Sequence, residues 1–462
     1  MTVPDQSPLS PWARVLDALG LALLLIGFSV IVTGGFREFT PFGRLSVTSW
    51  VRPVLLGIAL LAVRHWRWRQ PTMLHRAAAG FRRMRASESA RIVWPIFLST
   101  RLGVLAVGFF GIALLGYAPN TPPWRVYTND FLNLPARWDT GWYLGVAIDG
   151  YSFEHTREVR QQNIAFFPLY PMLLRYVSPF FAHQYLWVGL AISLIAFLWA
   201  LVYMYRLARE QLGEEEATAA VAFLATYPFA LFFSAAYTES LFLLTMVGAC
   251  YHFQRDELWK SGAWGLAAGL VRPNGCLLSV VLALMALRGA RSKPWAAVAD
   301  RVAAAAAPGI GMLIYSIYIF FLTGNPLQWT AQNAAWGRVY RGIDALVSDR
   351  YLYIQNNGFY NYASTLGLDM ITAVALVFVL VSVWPVYRRF GIPYAAMILI
   401  NVLLPLSLGG LLSMGRVTTV LFPVFLWLGA VVPARHRTGW VVGFAMMQAL
   451  CAITFFTWRP LY

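Results

Sequence analysis

The stretch WVGLAISLIAFLWALVY, Trp187–Tyr203, decides the fold class, because it contains no charged residue over its whole length. A helix of this length covers about 25 Å, which nearly spans the roughly 30 Å apolar core of a bilayer. Similar apolar runs occur at Leu16–Ile31, Gly103–Leu115 and Val417–Val432. Their apolar residues do not alternate with polar ones, as they would in the strands of a membrane barrel. The pattern therefore predicts an all-α polytopic membrane protein.

Composition agrees with that class, since 59% of the residues are hydrophobic and only 12% are charged. Such a chain cannot cover a soluble surface of ordinary polarity, so lipid must be part of its solvent. The formal net charge of +16 lies mostly in short arginine-rich loops, which indicates membrane topology rather than nucleic-acid binding. The three cysteines lack metal-ligand spacing, so neither zinc nor a disulfide is expected.

The basic loops set the predicted orientation. The segment Arg64–Arg91 is the densest of them, and the positive-inside rule places it in the cytoplasm. Counting spans from this loop puts two long segments, residues 118–163 and 324–366, on the outer side. The chain is then a single integral membrane domain over residues 1–462, with roughly 11–13 membrane segments and two large outer loops.

One apolar run, residues 262–287, is interrupted by VRPNG, Val271–Gly275. Proline removes a helix hydrogen bond and glycine permits a turn, so two half-helices can form a hairpin whose tip points outward. The hairpin would keep the basic segment Arg288–Pro294 inside. The alternative is one tilted helix that leaves this basic segment outside, against the rule.

This topology brings the unusual polar residues to the outer side. Most of them lie in or near short helix-connecting segments, and the first outer segment contains LPARWDTGWYLGVAIDGY, Leu134–Tyr151. The convergence predicts a site at the outer boundary of the membrane. Its candidate residues are Arg137, Trp138, Asp139, Trp142, Tyr237, Glu239, Arg272, Asn274, Arg338 and Arg416.

Structural interpretations of these residues also stay open. Asp139 could sit at a helix N-terminus or pair with Arg137, and Glu239 could be a first-turn acid of a helix. Arg272 could form an ion pair with Glu239. Arg338 could end a helix that only rests on the bilayer surface. The two tryptophans of this set, Trp138 and Trp142, could belong to an interfacial aromatic belt.

The charges of the predicted site suit one reaction. Arginines at the interface would neutralise a phosphate, aromatic side chains would hold a sugar or an isoprenoid, and one carboxylate would deprotonate an acceptor hydroxyl. A phosphate leaving group needs no general acid, so inverting glycosyl transfer requires one base, predicted as Asp139, whereas a glycosidase requires two carboxylates at a fixed separation. No Asp-x-Asp pair surrounds Asp139, so neither a divalent metal nor another cofactor is expected.

Six stretches also carry a family resemblance, and they occur in order between Arg137 and Phe425. They are RWDTGWYLGVAIDGY, QQNIAFFPLYP, PFALFFSAAYTESLFLL, GLAAGLVRPNG, GNPLQWTAQNAAWGR and SMGRVTTVLFPVF. Together they resemble the PIG-V-like mannosyltransferases of the GT-C superfamily. The resemblance implies a dolichyl- or polyprenyl-phosphate mannose donor, an outer or luminal active site, inversion at the anomeric carbon and no nucleotide sugar.

The resemblance also implies roles for particular residues. Asp139 matches the presumed base of the family, and Arg272 with Asn274 matches its Arg-x-Asn-Gly motif. Tyr237 and Glu239 match a tip motif of the family. Arg272 and Arg416 are then expected to bind the donor phosphate.

The expected partners are a polyprenyl-phosphate sugar donor, a hydroxyl acceptor on a glycan, glycolipid or protein, and the lipid bilayer. Arginine-rich, lysine-poor usage favours a bacterial inner-membrane protein whose active site faces outward. The alternative function is a transporter or flippase of lipid-linked sugar, which would place ionisable residues near the bilayer midplane in repeated helices. A non-catalytic membrane scaffold is a third class, for which loss of Asp139 would be harmless.

Overall fold

The computed structural model of the protein describes residues 10–33, 36–40, 43–68, 71, 75–76, 79, 87–119, 124–155, 160–288, 294–338, 340, 342–459 and 461. Regular structure in these residues is helical except for one antiparallel hairpin of β1 (Phe36–Thr40) and β2 (Gly43–Val47). Six helices are long and apolar enough to cross a membrane, or seven if one bent pair counts as a span. The predicted class, an all-α polytopic membrane protein, is confirmed.

Nineteen helices follow one another in the described residues. In chain order they are α1 (Pro11–Thr33), α2 (Val51–Arg67), α3 (Glu88–Leu115), α4 (Thr140–Asp149), α5 (Leu169–Val177), α6 (Tyr185–Leu212), α7 (Glu214–Thr226), α8 (Glu239–Gln254), α9 (Leu258–Val271), α10 (Leu278–Leu287), α11 (Trp295–Thr323), α12 (Gln328–Ala331), α13 (Ile343–Asn357), α14 (Phe359–Thr365), α15 (Gly367–Phe390), α16 (Ile392–Gly409), α17 (Met414–Thr419), α18 (Phe422–Val431) and α19 (Ala434–Phe456). Short 3-10 turns occur at Pro228–Ser234, Pro273–Leu277 and Gln332–Trp336.

The predicted 11–13 membrane segments include helices that do not qualify as full spans by themselves. Helix α8 has 16 residues and α9 has 14, fewer than the about 20 that a complete crossing needs. Three further apolar helices are also short, at Pro273–Leu287, Ile392–Leu408 and Phe422–Val431. Buried small residues and neighbouring helices, rather than length alone, therefore hold these segments within the bundle.

Contacts divide the chain into two compact units, residues 1–91 with 175–188 and residues 92–174 with 189–462. The single domain over residues 1–462 stays a prediction. In the first unit α1 packs along α2. Asp17 of α1 is buried and pairs with Arg64 of α2, with 3.0 Å between Oδ1 and Nε. Much of the basic segment that follows α2, including residues 80–86, lies outside the described residues.

The polar loops of the second unit gather at two ends, which α8 connects. At the first, called the site end below, Glu239 begins α8 and pairs with Arg272. At the opposite end, just after α8, Arg255 pairs with Glu210, and Arg288 donates a hydrogen bond to the carbonyl of Phe390. The loops that the positive-inside rule assigned to one side of the membrane therefore lie together at the opposite end.

Contacts with α11 define the path of residues 262–287. Asp256, just before α9, pairs with Arg301, and Gly269 near the end of α9 lies against Pro308, so α9 runs parallel to α11. Ser279 at the start of α10 accepts a hydrogen bond from the Gly309 N–H at 3.0 Å. If α10 ran on in the same direction, its last residue would lie about 33 Å from the first residue of α11, whereas the connecting chain reaches at most about 29 Å. Helix α10 therefore returns to the opposite end, as the hairpin interpretation requires.

The close approach of α9 and α11 depends on glycine at position 269. A Cβ there would lie 2.0 Å from the Pro308 carbonyl oxygen and 3.0 Å from the Met312 nitrogen. We expect Gly269→Ala to push the two helices apart and to lower the free energy of unfolding by about 1–3 kcal/mol. Gly103→Ala is the matched control, because a Cβ on that α3 glycine meets nothing within 4 Å. Thermal melts of the purified variants measure the difference, and equal melting temperatures would contradict this account.

Candidate active site

Asp139 lies at the N-cap position of α4, but its carboxylate makes no capping hydrogen bond. Instead, Oδ2 accepts a hydrogen bond from Nη1 of Arg416 at 2.6 Å. The backbone N–H of Asp139 donates to Oη of Tyr237 at 3.1 Å. The side chain is 26% exposed, and its Oδ1 accepts no hydrogen bond from the described part of the chain. Asp139 is therefore a partly open carboxylate paired with Arg416 rather than with Arg137.

Two strained residues precede the partners of this ion pair. Trp138, directly before Asp139, has a φ of 43°, and Ser413, which precedes the short helix of Arg416, has a φ of 61°. Positive φ is uncommon for residues other than glycine and is often found at functional sites. The Trp138 ring packs 4.9 Å from the ring of Trp458. Packing thus holds a bend that turns Asp139 toward Arg416.

Glu239 is fully buried and binds two arginines through one oxygen. Its Oε1 accepts hydrogen bonds from Nη1 of Arg272 at 2.6 Å and from Nε of Arg416 at 2.8 Å. Nη2 of Arg416 is also 2.8 Å from this oxygen, while Oε2 has no hydrogen-bond partner among the described residues. Glu239 is the first residue of α8, but its carboxylate serves an ion-pair cluster, which contains the Arg272 pair that the sequence left open.

Arg416 joins the two carboxylates and is itself buried. Its guanidinium lies 4.6 Å from the ring centroid of Tyr237 and 5.3 Å from that of Phe232. A guanidinium over an aromatic face is attracted by the ring quadrupole, and more strongly when water is excluded. Tyr237 therefore packs against the Arg416 guanidinium, and its hydroxyl oxygen accepts a hydrogen bond from the Asp139 N–H. These two contacts make the buried tyrosine part of the cluster.

Arg338 forms no ion pair with a described residue, but its charge interacts with the charges of the same cluster. Burial, together with the positive charges of Arg416 and Arg272, lowers the pKa of Arg338, and the charge of Asp139 opposes that change. The segment before it is docked by a hydrogen bond of 3.1 Å from the Gln162 N–H to Oε1 of Gln332. Residues 328–338 thus pack on the protein, and they do more than rest on a bilayer.

Aromatic rings form a wall one turn from Asp139. Trp142 stacks on Phe166 with ring centroids 5.6 Å apart, and it meets Trp336 edge-on at the same distance. Phe166 and Trp336 were missed as site residues from the sequence. The available signal was their position inside two of the motif stretches, QQNIAFFPLYP and GNPLQWTAQNAAWGR.

Arg137 points away from the ion-pair cluster and is fully buried. Its guanidinium donates hydrogen bonds of 2.7–2.8 Å to the carbonyls of Phe456, Asn133 and Ala136. These contacts connect the segment before α4 to the end of α19, so Arg137 has a structural role. A direct role of Arg137 in substrate binding stays a prediction.

We expect Arg137→Met to destabilise the protein, because the carbonyls of Phe456 and Ala136 would lose their side-chain donor. The Asn133 carbonyl keeps a hydrogen bond from the Ala136 N–H. Each buried carbonyl that is left without a partner costs about 1–3 kcal/mol. The melting temperature should fall, while activity per folded molecule should fall much less. Arg125→Gln is the control, since Arg125 is 46% exposed. An unchanged melting temperature for Arg137→Met would contradict the structural role.

Asn274 lies beside Arg272 at the helix break and is bound to α16. Its Nδ2 donates to Oδ1 of Asn401 at 2.9 Å, and Asn401 in turn donates to the carbonyl of Met397. Asn401 was not identified from the sequence, although a polar residue within the apolar run ILINVLL was a visible signal. The role of Asn274 in substrate binding is a prediction, as is the absence of a metal requirement.

Comparison with known proteins covers the first part of this site. Residues 121–291 match the sequence model of the family described as Mannosyltransferase (PIG-V). GPI mannosyltransferase 2 of Drosophila pseudoobscura pseudoobscura is 26% identical over 154 residues, which are 30% of this chain and 32% of that protein. The chain thus matches about a third of the length of this relative. Over residues 121–291, which contain Asp139, Glu239 and Arg272, the predicted resemblance to PIG-V-like mannosyltransferases is confirmed.

Proposed function

We propose that the protein is a membrane glycosyltransferase that moves mannose from a polyprenyl-phosphate donor to an acceptor hydroxyl, with inversion and with Asp139 as general base. The observation that carries the proposal is the ion-pair cluster of Arg272 and Arg416 with the carboxylates of Asp139 and Glu239, to which the positive charge of Arg338 is coupled electrostatically. Three positive and two negative charges leave a net charge of +1. A phosphodiester carries one negative charge and would neutralise the cluster. The two negative charges of a nucleotide diphosphate sugar would instead leave the cluster with a net charge of −1.

The arginines that would bind the phosphate differ in access. Arg272 is 20% exposed and uses only Nη1 to bind Glu239, so its other nitrogens can receive a phosphate. Arg338 contributes a second cation and Arg416 a third. Guanidinium groups bind phosphate through several directed hydrogen bonds, and more strongly where water is excluded. The leaving polyprenyl phosphate would stay in this arginine cluster as its negative charge grows.

Asp139 is the better base of the two acids. Its Oδ1 is free of hydrogen bonds from the described residues and its side chain is partly exposed. Glu239 is inaccessible, with 0% of its side chain exposed, and it is committed to two arginines. One accessible carboxylate beside cations fits a single displacement at the anomeric carbon, in which the acceptor proton goes to Asp139. The aromatic wall of Trp142 and Trp336 would hold the sugar or the first isoprene units.

We place the site end outside the cytoplasm, in a bacterial inner membrane. Basic side chains at the opposite end support this orientation by the positive-inside rule; they include Arg255, Arg288, Arg388, Arg389, Arg435 and Arg437. The acceptor is a hydroxyl of a glycan, a glycolipid or a protein. No divalent metal is needed, because arginines supply the positive charge.

The test is sugar transfer by the purified full-length protein in lipid. Polyprenyl-phosphate [³H]mannose and GDP-[³H]mannose are supplied separately with a membrane extract as the source of acceptors. We expect label to enter the acceptor fraction from the polyprenyl donor only, and the new linkage to have the anomeric configuration opposite to that of the donor. Transfer from the nucleotide sugar, or retention of configuration, would contradict the proposal.

A further inference from the structure

A groove at the opposite end of the second unit lies far from the candidate site. It has a volume of about 670 Å³ and is lined by Trp384, Pro385, Arg388, Arg389, Trp427 and Val431. Its walls come from the last turns of α15 and the second half of α18, two helices that pack together. Pro385 interrupts the backbone hydrogen bonding of α15 at this point, which favours a local bend beside Trp384.

The groove has one apolar part and one charged part. Trp384 is 63% exposed and Val431 is 45% exposed, so apolar surface remains open at the end of a helix that can span a membrane. Arg388 and Arg389 follow in the last turn, and the Arg388 guanidinium lies 5.7 Å over the Trp384 ring. Neither arginine forms an ion pair with a described residue, and the lining contains no acidic side chain.

Two general effects explain an arginine at the end of such a helix, but they do not explain a groove. The helix dipole favours a cation near the C-terminus, and the positive-inside rule favours basic loops. Neither effect requires two neighbouring guanidiniums beside a groove that is lined by two indole rings. Charge complementarity instead calls for an anion, and the apolar walls call for a hydrocarbon attached to it.

We propose that this groove binds the headgroup of an anionic phospholipid from the leaflet that borders the opposite end. The lipid phosphate would contact Arg388 and Arg389, while its glycerol and upper acyl carbons would lie against Trp384, Trp427 and Val431. An anionic headgroup is preferred over a zwitterionic one, because a choline or ethanolamine cation would be repelled by the second arginine. Each arginine near an anionic surface contributes about 1 kcal/mol to lipid binding. The inference does not depend on the proposed transferase activity.

The experiment uses delipidated full-length protein in detergent. Palmitoyl-oleoyl phosphatidylglycerol, the matching phosphatidylcholine and inorganic phosphate are added separately, and the melting temperature and lipid binding by native mass spectrometry are recorded. We expect phosphatidylglycerol alone to raise the melting temperature of the wild type. In Arg388→Gln/Arg389→Gln, phosphatidylglycerol binding should weaken about thirtyfold, from the loss of two such arginine contributions.

The control variant is Arg255→Gln/Arg435→Gln, which removes two charges from the same end but outside the groove lining. It should bind phosphatidylglycerol as the wild type does. Trp384→Ala provides a second variant that keeps both arginines and should also weaken binding. The proposal is overturned if phosphatidylcholine or inorganic phosphate stabilises the wild type equally, if the control loses as much binding, or if neither groove variant changes it.

Discussion

Replacement of Asp139 by asparagine should reduce mannose transfer by about a hundredfold to ten-thousandfold, the usual contribution of a general base. The substitution keeps the shape of the side chain and an oxygen that can accept the Arg416 hydrogen bond. Because the side chain is 26% exposed, the loss of its charge should change the free energy of unfolding only modestly. The expected result is therefore a folded protein that binds the donor and transfers little sugar.

The matched control for this variant is Asp369→Asn. Asp369 also binds an arginine and a tyrosine, Arg350 and Tyr362, and its side chain is likewise 26% exposed. It belongs to α15 and takes no part in the ion-pair cluster of the candidate site. Transfer rates per folded molecule should be near wild type for Asp369→Asn. Equal rates for Asp139→Asn and wild type would remove Asp139 from the mechanism.

Replacement of Glu239 by glutamine should instead destabilise the whole protein. Glu239 is fully buried, and its charge compensates Arg272 and Arg416, of which Arg416 is only 9% exposed. The substitution leaves Arg272 without a carboxylate and Arg416 with Asp139 alone. Loss of one partner of a buried ion pair costs about 3–5 kcal/mol. Both the melting temperature and the transfer activity should fall, and activity should not recover fully at low temperature because the arginines would no longer be held.

Glu210→Gln is the comparison for that effect. Glu210 pairs with Arg255 at the opposite end, and the two side chains are 43% and 47% exposed. An exposed pair contributes at most about 1 kcal/mol, so this variant should melt near the wild-type temperature. If the Glu239→Gln and Glu210→Gln proteins had the same melting temperature, the cluster would not stabilise the fold.

Much of the fold was predictable because it follows from apolar length. A run such as Trp187–Tyr203 allows few structures other than a membrane helix, and Trp187 and Tyr203 indeed lie in the single helix α6. The break at Val271–Gly275 was also predictable, since proline and glycine act locally. Counting spans also predicted that four residues gather at one end, namely Asp139, Glu239, Arg272 and Arg416.

The Arg272–Glu239 pair was an open interpretation of the sequence, but the pairing of Asp139 with Arg416 was not predictable, because it depends on how separate helices pack. Arg137 and Asp139 are two residues apart, yet one is buried among backbone carbonyls and the other faces Arg416. The positive φ of Trp138, which lies between them, turns the two side chains in different directions. No sequence rule assigns that conformation to tryptophan. The β1–β2 hairpin was likewise missed, since its short strands lie between two apolar helices.

The distance along the chain between the members of the cluster has a consequence for how the protein is made. Glu239 and Arg272 are 33 residues apart, whereas Asp139 and Arg416 are separated by 277. At a synthesis rate of about 5–20 residues per second, Asp139 is translated many seconds before its partner. During insertion the Glu239–Arg272 pair can form early, whereas Asp139 waits for its arginine until α17 has been synthesised. The ion-pair cluster is thus completed late, and a chain that stops before α17 leaves Asp139 without the arginine that binds it.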